Sequence, residues 1–454
     1  MYSHSSRTVR ISGIPPDAEV QDLVEYAKWL SEGPVTTKSW IFRRIGATSR
    51  QPEVAIGIID STVVSLAPQM QYKTGTITFS SKAIKRRAVK RHGRWKCDDV
   101  FNSLTVLHAA AVPELDICAV HGLNGNAFDT WAADGHMWLR DFLPTHARFR
   151  NSRIMTFGYS SLLQDGRNAA GLTEWAHSLL QSVASVRKSQ SEGARPLIFV
   201  CHSLGGLVVR EAMIQLHDFP GRYQGLGVDQ CGLLFLSTPH SGATAADWND
   251  YMLELAEHIG KIRGRDFTQM LGSFNNESRK AKERFGLINP IPPYVCLGET
   301  RESSVRGYSK MIVTLDSAGL NNQPAQGVDG ADHRTICRYA RDTDAGYVQI
   351  TECLEHVSDR LQNDNAGPAT TTLSRRLLSP PDHPWGGTLN ARDGPARAGN
   401  ARGGDAWGGD ARGGDARGGD AWGGDAWGGA ARGGDARGDS ARGGDARGGD
   451  AWFS

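Results

Sequence analysis

The chain has no paired cysteines. Its seven Cys residues stand singly, without a Cys-x-x-Cys step or a spacing that would ligate a metal. Cys118, Cys201 and Cys231 fall inside apolar runs, where a thiol behaves as a small buried hydrophobe. The expectation is a reduced, intracellular protein that needs no metal and no organic cofactor. Net charge is also nearly absent, +2 over 454 residues, so global electrostatics select no partner. No apolar run approaches the roughly 20 residues that cross a bilayer, so no transmembrane segment is expected. Met1-Tyr-Ser-His-Ser-Ser-Arg7 lacks the apolar core of a secretory signal. The first sixteen residues are basic and free of acids, a faint presequence character, but a short tail ahead of a strand explains them more simply. Cytoplasmic placement is therefore expected, with mitochondrial or membrane-associated placement as the alternative.

What is present divides into three regions: 1–98, 99–362 and 363–454. From Ala391 onward a five-residue unit, Ala-Arg-Gly-Gly-Asp, repeats, with Trp in place of Arg at 407, 422, 427 and 452. The unit offers no aliphatic core and glycine makes its ordering costly, so a disordered low-complexity tail is expected. Arg-Gly-Gly triplets invite an RNA-binding reading, but the matching Asp residues cancel the charge such binding uses. Arg437-Gly438-Asp439 spells an adhesion tripeptide, taken here as coincidence.

The first region reads as strand Thr8–Ile14, helix Glu19–Leu30, and strands Trp40–Ile45, Val54–Ile59 and Gly75–Phe79. That order resembles a small α+β RNA-recognition fold. Lys73-Thr-Gly-Thr-Ile-Thr-Phe79, however, carries one aromatic where base stacking would use more, so nucleic-acid binding is disfavoured. Residues 82–96 form a dense basic run that suits nucleic acid, anionic lipid or a nuclear-import signal, or simply a solvated helix face.

The middle region alternates apolar runs with helical patterns, as a mostly parallel sheet with helices on both faces requires. Strands are read at Leu104–His108, Leu115–Val120, Arg153–Tyr159, Leu197–Cys201, Cys231–Ser237, Tyr294–Glu299 and Met311–Leu315. Several are continuously apolar, as strands covered on both faces are. Amphipathic helices Trp248–Ile262 and Phe267–Phe285 follow the fifth strand, where a lid or ordinary helical cover would sit.

Pro196-Leu-Ile-Phe-Val-Cys-His-Ser203-Leu-Gly-Gly206 runs from an apolar strand into a serine and then a helix. Strand, sharp turn, serine, helix is the context of the nucleophile in an α/β-hydrolase fold. Cys201 replaces the first glycine of Gly-x-Ser-x-Gly, at a place that demands a small residue; Gly205 and Gly206 keep the helix side open. Upstream, Leu115–Val120 leads into His121-Gly122-Leu123-Asn124-Gly125, a loop able to turn backbone N–H groups toward a developing oxyanion. The expected oxyanion donors are the amides of Leu123 and Leu204. Downstream, Glu299 ends its strand and is the expected acid, with Glu302 nearby and Asp316 the main alternative. His333, in Gly330-Ala-Asp-His-Arg334, is the expected base by chain order. By the same order, His121 and His240 shape the site, and His202 points elsewhere on the elbow.

The segments Asp116–Gly125, Arg153–Tyr159, Phe199–Val209, Ser237–Gly242 and Ala331–His333 together resemble one family. It comprises the serine esterase/lipase-like α/β hydrolases related to the GPI inositol-deacylase and serine-active-site-containing proteins. The chain is especially similar to fungal versions found at the N-terminus of NACHT or NB-ARC receptor-like proteins. The likeness covers roughly residues 99–360, and the leading 98 residues also look like that group. It implies ester or lipid hydrolysis by Ser203, Glu299 and His333, and makes Cys201 normal for the branch. No nucleotide-binding or repeat domain follows; the pentapeptide tail takes its place. The expected substrate is thus an ester or lipid, with peripheral membrane contact as a candidate association and oligomeric state unassigned. A second class of reading is a signalling or effector module with little or no turnover. A third, weaker one makes the basic run and the tail an RNA platform.

Overall fold

The computed structural model describes residues 4–31, 56–59, 62–123, 125–161, 171–240, 280–305, 308–321 and 323–365, with short stretches between 395 and 452. Met1–Gly367 forms one compact unit and Pro368–Ser454 another. The expected strand Trp40–Ile45, helix Trp248–Ile262 and all but the end of helix Phe267–Phe285 lie outside the described residues.

The chain opens with β1 (Thr8–Ile14), α1 (Val20–Ser31), β2 (Ile56–Ile59), β3 (Thr62–Gln69), β4 (Tyr72–Thr78), α2 (Lys82–Lys90) and β5 (Lys96–Asp98). Their sheet order is β2-β3-β4-β1-β5, all antiparallel. One face is apolar: Val9, Ile11, Ile77 and Phe79 pack with Leu23, Val24, Ala27 and Leu30 of α1 and Ala88 of α2. Alternation along the strands puts Thr8, Ser65, Thr76 and Thr78 on the opposite face, where they are also buried. What covers them is polar. Arg140, fully buried, donates to the hydroxyls of Thr76 and Thr78 at 3.2 and 2.9 Å. Its remaining guanidinium edge pairs with Asp141. Arg10 reaches Thr105, and Gln69 bridges to the backbone of Leu104 and Val106. This polar sheet face is thus filled by the larger unit that follows in the chain.

That unit contains β6 (Ser103–Ala109), β7 (Leu115–Val120), a hairpin of β8 (Ala132–Ala133) and β9 (His136–Met137), α3 (Trp138–Asp141), β10 (Ser152–Gly158), α4 (Leu172–Ser185), α5 (Gln190–Gly193), β11 (Leu197–His202) and α6 (Leu204–Asp218). It continues with β12 (Cys231–Leu236), β13 (Tyr294–Glu299), a hairpin of β14 (Ser303–Val305) and β15 (Tyr308–Lys310), α7 (Leu315–Ala318), β16 (Gln326–Val328) and α8 (Ala345–Asn365). Seven strands form one sheet in the order β16-β13-β12-β11-β7-β10-β6. All neighbours are parallel except the β10–β6 pair. Strand residues alternate between two cores. Leu197, Phe199 and Cys201 face α4 and α6, while Ile198 and Val200 face Trp131, Trp138 and the apolar stripe of α8. Burial on both faces explains the continuous apolar runs. This is an α/β-hydrolase fold. Its chain reverses direction of travel across the sheet between β7 and β11, which opens a crevice beyond their carboxyl ends.

One expected strand is corrected. Met311–Leu315 is no sheet strand; it is a loop leading into α7, and the edge position belongs to β16, Gln326–Val328. The apolar Ile312 and Val313 serve instead to bring their amides onto a buried carboxylate.

In the second unit, where disorder was expected, the described residues are strands of two or three residues. They pair in parallel at a ten-residue register, Ala411 with Ala421 and Ala421 with Ala431. The five-residue period permits that register, because units ten residues apart present Ala at the same position, followed by Arg or Trp.

Candidate active site

β7 and β11 are adjacent parallel strands, with Val120 opposite Cys201. Whatever follows each strand must therefore meet. After β11 comes Ser203, at φ +53° and ψ −124°, a backbone state that L-residues avoid. The turn is held by its own hydrogen bonds: Ser203 N–H donates to Leu236 O at 2.9 Å, and Gly206 N–H to Ser203 O at 3.0 Å. Leu204 then opens α6, and as the first residue of the helix its N–H has no acceptor within it.

Close approach dictates the glycines. A Cβ on Gly205 would lie 2.3 Å from Val120 O and 2.6 Å from His121 O. One on Gly206 would lie 2.1 Å from Thr238 Oγ1, and one on Gly122 2.8 Å from the Ser203 Cβ. Cys201 is fully buried, and burial drives its thiol well above the usual range, so it acts as a small apolar filler.

His333 Nε2 lies 3.1 Å from Ser203 Oγ, and His333 Nδ1 lies 2.7 Å from Glu299 Oε2. All three side chains are buried. The other oxygen of Glu299 accepts the amides of Ile312 and Val313 at 2.6 and 2.9 Å. Both carboxylate oxygens are therefore engaged, and the carboxylate cannot rotate away from the imidazole. β13 carries Glu299 at its end, and β16, paired to it through Glu299 and Val328, delivers the chain to His333 four residues after Asp329. An Asx turn fixes that loop: Asp332 Oδ1 accepts the amides of Arg334 and Thr335. Asp316, the alternative acid, is exposed on α7, and Glu302 is exposed as well.

The loop after β7 is clamped by aromatics. The His121 ring stacks on Tyr159 at 4.5 Å. Its Nδ1–H donates to Gly122 O at 2.8 Å, while Tyr159 Oη–H donates to His121 O at 2.8 Å. Gly125 N–H also points at Gly122 O, at 3.1 Å. The carbonyls of His121 and Gly122 are thereby both engaged, at the turn that contains Leu123. Burial lowers His121 from 6.5 to about 4, so it is a neutral part of the scaffold.

His240 packs its ring edge-on against Phe235 at 4.4 Å, and its carbonyl accepts from Arg210 at 3.3 Å. Among the described residues its ring makes no hydrogen bond, and its ring contact is with Phe235. His202 bonds to the loop that carries His333. Its Nε2 lies 2.8 Å from the carbonyl of His333. Strand alternation, which sends Cys201 to the α6 face, sends His202 to the other side, under the His333 loop. Sequence reasoning also missed Ser303, whose Oγ accepts the His333 amide at 3.3 Å, and Ser237, whose Oγ accepts the Glu299 amide at 3.2 Å. Neither serine carries a motif that would have flagged it. Among the described residues no group of His, Cys, Asp and Glu could hold a metal ion, and no helix is long and apolar enough to cross a membrane.

Fold and site together place a serine at a strand–turn–helix elbow of an α/β-hydrolase fold. Residues 115–277 match the family model described as "Putative serine esterase (DUF676)". Protein SERAC1 of Danio rerio is 29% identical over 250 residues, covering 49% of this chain and 36% of that protein. Protein SERAC1 of Homo sapiens is 25% identical over 277 residues, covering 55% and 39%. The matches thus span less than two fifths of the length of these relatives. Among solved structures, phospholipase PlaB from Legionella pneumophila aligns over 56% of this chain and 64% of its own, with 15% identity and a TM-score of 0.40. A type II thioesterase, YbtT, aligns over 56% and 99%, with 16% identity and a TM-score of 0.33.

Proposed function

We propose that the chain is a serine hydrolase that cleaves carboxylic esters, with lipid esters as the substrate class, through an acyl-enzyme. The relay Ser203–His333–Glu299, at 3.1 and 2.7 Å, carries this reading. His333 takes the Ser203 hydroxyl proton as the oxygen attacks the ester carbonyl. Glu299, held by two amides, keeps the Nδ1–H tautomer and stabilises the imidazolium. The oxyanion is received by the N–H of Leu204, at the positive end of α6, and by that of Leu123. His333 then gives its proton to the leaving alkoxide, and the alcohol departs. Water, deprotonated by His333, attacks the acyl-Ser203 ester, and His333 returns that proton to Ser203 Oγ as the acid is released. Each step balances without a cofactor.

Fluorophosphonate labelling of the full chain tests this. Labelling is expected in the parent and absent from Ser203→Ala and His333→Ala. A folded parent that resists labelling overturns the proposal, as does labelling that survives Ser203→Ala.

A further inference from the structure

The basic run is built into a surface that the catalytic reading leaves unused. Between Phe79 and Cys97 the chain contains no acid. The structure removes one of its cations: Lys85 is buried and pairs with Asp99 at 2.5 Å. The exposed face of α2 then presents Lys82, Arg86, Arg87 and Lys90, with Ala83 the only uncharged residue among them. Arg94 and Lys96 extend the exposed cations beyond the helix. None of these six lies within ion-pair distance of a carboxylate among the described residues. The neighbouring helix α1 brings two acids, Asp22 and Glu25, so the excess is strongly positive.

Beside these cations stand two half-buried tryptophans. The Arg91 guanidinium lies 4.0 Å from the centroid of Trp29, and that of Arg94 4.0 Å from the centroid of Trp95. Tyr26 links them, stacked on Trp29 at 5.4 Å and edge-on to Trp95 at 4.8 Å. Indole rings with a wet rim, interleaved with a row of cations, are the composition of a bilayer headgroup surface contact. A nucleic acid would need free ring faces or the β-sheet face. Guanidiniums occupy the former, and the hydrolase unit fills the latter.

We infer that the α2 face, with Trp29 and Trp95, docks the protein on the surface of an anionic lipid bilayer. This would hold the enzyme at a surface rich in lipid esters. The docking rests on charge and aromatic placement alone, not on the catalytic reading.

The test is co-sedimentation of the full chain carrying Ser203→Ala with vesicles of phosphatidylcholine, with and without a one-third share of phosphatidylserine. Because this variant turns nothing over, a failure to bind is distinct from a failure of the hydrolase reading. Binding is expected to the mixed vesicles only, and to weaken as salt rises. Each exposed cation is worth about fivefold in partitioning. The triple variant Lys82→Gln, Arg86→Gln, Lys90→Gln should therefore bind roughly a hundredfold more weakly. These three side chains make no hydrogen bond or ion pair among the described residues, so the fold is preserved. Equal binding to neutral vesicles, no binding to either, or an unaffected triple variant overturns the inference. Binding of duplex DNA or single-stranded RNA, lost in the triple variant without vesicle binding, would assign the surface to nucleic acid instead.

Discussion

His202 Nε2 lies 2.8 Å from the main-chain carbonyl of His333, and the two imidazoles are 5.1 Å apart. A carbonyl can only accept, so Nε2 carries the proton. Burial, followed by the neighbouring His333, pushes His202 well below 6.5, which keeps it a neutral donor. The residue before Ser203 thus tethers the loop that carries His333. His202→Ala should lower kcat by about 10–100-fold, the cost of a small misplacement of the base, with little change in KM. His202→Gln, which keeps an N–H donor, should recover much of the loss. Steady-state kinetics of both variants check this; equal losses would reduce His202 to a packing residue.

Glu299 and Asp316 separate cleanly. Glu299 is fully buried with both oxygens engaged, while Asp316 is exposed. Glu299→Gln must turn an amide NH2 toward either the Ile312 and Val313 amides or the imidazole N–H, so one set of donors faces another. Loss of about 10³–10⁴-fold in kcat is expected, with unfolding made easier by about 1–3 kcal/mol. Asp316→Asn should leave both unchanged. Ester turnover and a urea transition on each variant decide the point.

The packing at Gly205 predicts a backbone clash that no side-chain motion relieves. A methyl there would meet the carbonyls of Val120 and His121. Gly205→Ala should cost about 2 kcal/mol or more and abolish turnover, because the relief available is to push the loop after β7 from Ser203. Gly221→Ala is the control: at φ +83° with open space around it, it pays strain of about 1 kcal/mol and leaves activity intact. Denaturant midpoints and activity of the two variants should therefore diverge.

Much of this site could be read from the chain because long-range order is written locally. Leu115–Val120 and Tyr294–Glu299 are largely apolar runs that the structure reproduces residue for residue, since burial on both faces selects apolar residues; the exception inside them, Asp116, is buried but paired with Arg153, Arg187 and Arg195. Ends of such strands locate His121 and Glu299. β16 could not be read: Gln326-Gly-Val328 has no pattern, and it becomes a strand only because β13 offers an edge. Apolar content misled at Met311–Leu315, where the physical task is donation of two amides to Glu299. The orientation of His202 depends on its meeting a loop 131 residues away in sequence, for which no local signal exists.

The buried histidines predict an acid-side loss of stability. His121, His202 and His240 are all held below 6.5 by burial, with His121 at about 4. The unfolded chain binds protons at these positions as pH falls through 6.5, and the folded chain does not. The unfolded state thus binds more protons across this window, so stability rises with pH there. The contribution is fully present above 6.5 and is lost as pH falls toward about 4. For His121 alone the full span amounts to about 3 kcal/mol. Asp99, Glu192, Asp218, Asp332 and Asp344 are also lowered, but from carboxylate values, so their loss begins at lower pH. The two windows can be separated. His121→Asn keeps an N–H donor for Gly122 O and removes the titrating ring. Urea midpoints measured between about pH 7 and about pH 5 should fall less steeply in this variant than in the parent. An identical slope would mean that the buried ring at 121 takes up its proton as readily folded as unfolded, which its stacking on Tyr159 and its bond to Gly122 argue against.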